Sequence, residues 1–64
     1  GIINLEGSLH EVKRVEIINP EGKIIYSSSS INNTIPLNAN SNGMYLLNIH
    51  YENFIRPIKF VFSR

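Results

Sequence analysis

Cysteine is absent from this chain of 64 residues, which removes both the disulfide staples and the thiolate metal sites that very small domains commonly use for support. The absence neither requires nor excludes an oxidising compartment. Charge of one sign is also scarce. Six basic and five acidic residues leave a formal net charge of +1, which gives no cationic field of the kind nucleic-acid binding draws on, so no nucleic-acid partner is expected. No apolar run approaches the ~20 residues of a membrane-spanning helix, so stable membrane insertion is not expected either. The N-terminus lacks the charged-then-apolar order of a secretory signal peptide. Helical periodicity is missing throughout. A chain of this length makes one domain at most and buries only about 60% of the surface it exposes when unfolded, so the core has to be economical.

The sequence does contain a two-residue alternation. In residues 43–51, Tyr45, Leu47, Ile49 and Tyr51 fall on one face of a pleated strand and Met44, Leu46, Asn48 and His50 on the other; the first face is apolar throughout and the second mixed. The same reading gives strands over residues 2–5, 12–19, 23–27, 31–37 and 54–62, six in all. Val15 and Ile17 share one face of the second segment, Glu16 and Ile18 the other, and its β-branched residues favour strand over helix. Asn19-Pro20-Glu21-Gly22 has the residues of a tight turn and predicts a three-residue hairpin with a glycine bulge. Pro36 and Pro57 each remove a backbone donor, which suits a strand end or a free sheet edge. Short strands with one apolar face each, separated by turn signals, predict an all-β sandwich. Gly1 runs at once into strand-like residues, as expected of a fragment cut from a larger protein.

No constellation of residues points to catalysis, a metal or a cofactor. His10 and His50 have no second histidine or cysteine at zinc-ligand spacing, and a solvent-facing role is expected of both. Glu6, Glu11, Glu16, Glu21 and Glu52 are scattered over turns and strand faces, and surface solvation is the expected role. A chain this small does not build the cleft of roughly 5 to 9 Å across which a glycosidase holds two carboxylates. The serines lack a Gly-x-Ser-x-Gly elbow, and residues 27–30 read as a polar loop. Tyr45 and Tyr51 share parity with core residues, whereas the pattern leaves Tyr26 open between the core and a sugar-stacking platform.

Four stretches taken in order carry a family resemblance. They are Val15-Glu16-Ile17-Ile18-Asn19-Pro20-Glu21-Gly22-Lys23-Ile24-Ile25, then Ile35-Pro36-Leu37, then Gly43-Met44-Tyr45-Leu46-Leu47-Asn48-Ile49, and finally Lys59-Phe60-Val61. Together they resemble the type A C-terminal sorting domain of the type IX (Por) secretion system of Bacteroidetes. That family shows a strand ending in a turn and Gly-Lys or Gly-Arg, an Ile-Asp-Leu-like strand, a Gly-Val-Tyr-Leu-Leu-Lys-Ile strand and a closing strand with lysine. Pro36 and Asn48 stand where the family often has Asp and Lys or Arg, and the family's opening strand with its Pro-Asn-Pro motif is missing.

The resemblance implies a small immunoglobulin-like β-sandwich of about six strands, without the family's first strand and so short of one edge. It implies a non-catalytic domain over residues 1–64, C-terminal to a cargo protein that it carries through the periplasm and across the outer membrane to the cell surface or medium. The implied partners are the cargo, the type IX machinery, and a sortase-like peptidase that removes the domain. The motif positions it implies are Gly22, Lys23, Gly43, Tyr45, Lys59 and Arg64, of which the cations Lys23, Lys59 and Arg64 are the better recognition candidates. An alternative from another class is an accessory sandwich binding carbohydrate or a neighbouring domain at the cell surface. An exposed edge strand pairing with a partner chain is a third.

Overall fold

Period-two alternation leaves each strand with one apolar face, and two sheets pressed together are the simplest way to bury six such faces at once. The computed structural model describes every residue except Ser8, Asn40 and Arg64. It contains six strands: β1 (Ile2–Asn4), β2 (Arg14–Ile18), β3 (Ile24–Ser28), β4 (Thr34–Pro36), β5 (Gly43–His50) and β6 (Ile55–Phe62). All pairings are antiparallel. β1 and β4 form a two-stranded sheet, and the other four form a second sheet in the order β3-β2-β5-β6. The number of strands and the all-β class are those expected from the alternation.

The core lies between the sheets. Val15 and Ile17 from β2 and Tyr45, Leu47 and Ile49 from β5 point inward from the larger sheet and meet Ile35 and Leu37 from the β4 side, with Ile3 and Leu5 packed alongside. Each such side chain contributes on the order of 1.5–3 kcal/mol by leaving water. β5 pairs with β6 over its whole length and with β2 from Leu46 to His50, which makes it the central strand of the domain.

The turns follow their chemistry. Gly22 N–H donates to the Asn19 carbonyl (2.9 Å) and Asn19 N–H to the Lys23 carbonyl (2.8 Å), while Gly22 takes φ of 85°; this is the predicted three-residue hairpin. The Asn19 side-chain oxygen accepts from the backbone N–H of both Glu21 and Lys23 and rigidifies the loop. One step along β2, from Ile17 to Ile18, matches two steps on β3, so Ile25 is an extra residue there and packs against the core. Pro57 lies inside β6 and Pro36 ends β4. Since β6 is an edge strand, a missing donor is tolerated on its open side.

Two strands cannot cover four. Over β6 the inward row is poorly covered: Ile58 remains exposed, and a hollow of about 370 Å³ opens between Leu5, Ile49, Tyr51, Arg56 and Ile58.

Candidate functional site

The sequence motifs converge on one end of the four-stranded sheet. The turn of residues 19–22 ends β2 there, and Gly43 begins β5 beside it. A Cβ on Gly43 would lie 2.9 Å from the Pro20 Cγ, so the absence of a side chain is what lets the turn seat against the strand. Gly43 also has φ of 145°, a conformation that L side chains rarely adopt. Lys23 leaves the same turn exposed. Lys59 is exposed on the outward face of β6 and lies opposite Leu46, which lies opposite Ile18, which lies opposite Ile24. This row crosses the sheet over about 14 Å and has a lysine at or next to each end. Neither ammonium group makes an ion pair among the described residues.

Tyr45 is a motif residue that does not face a partner. It is 1% exposed, stacks on Phe60 at 5.7 Å between ring centroids, meets Phe62 edge-on at 6.1 Å, and donates its hydroxyl hydrogen to the Ser41 carbonyl at 2.7 Å. Gly22, Lys23 and Gly43 are thus brought together, Lys59 stands apart from them on the outward face of β6, Tyr45 is held in the core, and Arg64 lies outside the described residues.

The outward face has two halves of different chemistry. Away from the turn it is polar on β2 and β5, while β6 carries Pro57 and the exposed Ile55 there. Glu16, expected to be solvated, is only 8% exposed: one carboxylate oxygen accepts from Arg14 Nη2 at 3.1 Å and the other lies 2.5 Å from His50 Nε2. Arg14 and His50 are directly opposite each other on β2 and β5, so the two strands clamp the carboxylate from both sides. His50 is accordingly half-buried, which corrects the solvent-facing role expected of it, whereas His10 is exposed as expected. Removing the acceptor in Glu16→Ala is expected to cost about 1–2 kcal/mol, because two charge-assisted hydrogen bonds go at a largely buried position. A urea titration should show the midpoint falling with an unchanged slope.

Nearer the turn the outward face is apolar. Ile24 (54% exposed), Met44 (53%) and Val61 (69%) stand out beside the half-buried Ile18 and Leu46. The signal for this patch was present in the alternation, since both faces of β5 carry large apolar residues at that end.

Tyr26, left open by the sequence pattern, is half-buried and packs against the core. Tyr51, half-buried and packed against the core as its parity predicts, also stacks on Phe54 at 4.6 Å across the tip of the β5–β6 hairpin, beside a hollow of about 240 Å³ lined by His10, Glu11, Lys13 and Glu52. No group of three or more His, Cys, Asp or Glu among the described residues is placed to hold a metal ion.

Over residues 1–62 the chain matches the family described as the secretion system C-terminal sorting domain, and it belongs to that family. Membership makes it a sorting domain of the type IX system, a family of Bacteroidetes whose domains are in general non-catalytic. It also implies a cargo domain on the N-terminal side, interaction with the type IX system, and export to the cell surface or extracellular space. No curated protein and no solved structure matches the chain.

Proposed function

We propose that this domain is the address of a larger secreted protein: it is read in the periplasm by the type IX machinery, and the cargo on its N-terminal side then crosses the outer membrane. The observation that carries this reading is the family match over residues 1–62. The gathering of Gly22, Lys23 and Gly43 at one end of the sheet supports it. In this reading Lys23, Lys59 and Arg64 are recognition cations, and Gly22, Gly43 and Tyr45 hold the surface that presents them. A sortase-like peptidase removes the domain and joins the cargo to an anionic lipopolysaccharide, as in the family it resembles.

The test is a reporter carrying this domain with its natural upstream segment in a type IX-competent Bacteroidetes host. The reporter is expected at the surface or in the medium, and intact mass should show the domain lost from the exported form. A reporter held in the periplasm as fully as one without the domain would overturn the reading.

A second reading, carbohydrate binding, is favoured by one observation. Phe54 is 60% exposed and is braced by Tyr51 beside polar and charged groups, the arrangement of a sugar-stacking platform. Glycan binding that is lost in Phe54→Ala would support it, and silence across a glycan array would remove it.

A further inference from the structure

We propose that the apolar half of the outward sheet face is the docking surface for a protein whose own surface is apolar at its centre and rimmed by carboxylates. The proposal rests on the sorting reading above and gives that reading a place of contact. Outward positions of a sandwich strand are ordinarily polar, because they stay in water. Here Ile24, Ile18 and Leu46 form one row across three strands, and Met44 and Val61 form the next cross-strand pair on the same face. Three of these five side chains are more than half exposed. The patch lies at the end carrying the turn and Gly43. Beyond it β3, β2 and β5 pass into Ser27, Glu16, Asn48, Arg14 and His50, where the carboxylate is already taken by its two neighbours, and β6 alone stays apolar there, through Pro57 and the exposed Ile55. An apolar patch of this kind, rimmed by polar residues, marks an interaction surface.

Charge selects the occupant. Lys59 closes the row on the β6 side, and Lys23 precedes Ile24 on the β3 side; neither is ion-paired among the described residues. Glu21 is at the tip of the turn, outside the row. Carboxylates on the partner therefore meet a cation at both margins while apolar groups fill the middle. A second copy of this chain docked by the same face about a two-fold axis would bring lysine against lysine in either orientation of the row. An anionic bilayer is a poor fit as well, since lipid-directed basic clusters contain about four or more Lys or Arg.

The test uses the whole parent protein in its Bacteroidetes host. Five forms are compared: wild type, a form lacking this domain, the triple variant Ile24→Thr/Met44→Thr/Val61→Thr, the double variant Lys23→Glu/Lys59→Glu, and Glu16→Ala as a control that lowers stability without touching the patch. Cargo at the surface and in the medium is expected to fall at least about tenfold in the triple variant, the scale of losing a principal apolar contact at an interface. Lys23→Glu/Lys59→Glu should reduce it in the same direction. Normal export without the domain would overturn the sorting reading itself. Loss of export without the domain but normal export in the triple variant would overturn the docking surface alone, and so would a fall in Glu16→Ala as deep as in the triple variant. The purified parent is also sedimented with vesicles of phosphatidylcholine, with and without phosphatidylglycerol, and its mass in solution is measured. Vesicle binding or a dimer that the triple variant abolishes would assign the patch to lipid or to a second copy and overturn the proposal.

Discussion

Tyr45→Ala is expected to leave the domain largely unfolded at 25 °C. Replacing a fully buried aromatic by alanine costs about 3–5 kcal/mol, from lost burial and from the cavity left behind. A domain of this length has a total stability of roughly 3–10 kcal/mol at typical values per residue. Tyr45 sits in the middle of that sum: it is almost completely buried and touches two aromatic rings of β6, and its hydroxyl satisfies the carbonyl of Ser41 in the preceding loop. One residue therefore joins β5 to the edge strand and to the loop that delivers the chain into β5. Circular dichroism with a urea titration should show the sheet signal lost, or the midpoint near zero denaturant. Tyr45→Phe separates the two contributions. It keeps both ring contacts and gives up the hydroxyl hydrogen bond, so a loss of only about 1 kcal/mol is expected. Export with Tyr45→Phe should match wild type, because the hydroxyl points into the protein and reaches no partner. A stable Tyr45→Phe domain that fails to export would show that the hydroxyl itself is read.

Strand positions and the β2–β3 turn were legible in the sequence because both depend on residues close together in the chain. Parity assigned Val15, Ile17, Tyr45, Leu47 and Ile49 to the core, and all five are buried. Proline, glutamate and glycine after Asn19 dictated the hairpin, and Gly22 adopts the positive φ it was expected to supply. What depends on distant partners was not legible. Glu16 reads as a solvated acid in its own strand, and its burial comes from a histidine 34 residues later that β5 brings alongside. The Tyr51–Phe54 stack depends on how the β5–β6 hairpin closes, with the Tyr51 N–H donating to the Phe54 carbonyl, and parity alone does not give that closure. The candidate site was partly readable for the same reason. Gly22, Lys23, Gly43 and Lys59 were named by their place in a motif, but their position around one apolar patch follows from the order β3-β2-β5-β6, which no local pattern specifies.

Gly43 illustrates how a motif position acts through the fold. Gly43→Ala is expected to cost about 2–4 kcal/mol, combining a backbone conformation strained for any side chain with a direct collision. The new methyl would lie 2.9 Å from Cγ and 3.3 Å from Cβ of Pro20, and a proline ring has no rotamer by which to withdraw. Gly22→Ala is the natural comparison. Its φ is also positive, at 85°, but nothing lies within 4 Å of the added methyl, so only the backbone cost of about 1–2 kcal/mol is expected. The difference between the two measures the contact between turn and strand. Pro20→Ala in the Gly43→Ala background should recover about 1 kcal/mol relative to the sum of the single changes, because the colliding ring is gone. Equal losses for the two glycine variants, or simple additivity with Pro20→Ala, would mean that the turn yields without resistance and does not fix the start of β5. If the contact holds as expected, it sets the position of Lys23 and Ile24 relative to Met44, and with it the shape of the patch. Gly43→Ala should then lower export further than Gly22→Ala does, in the same order as their stabilities.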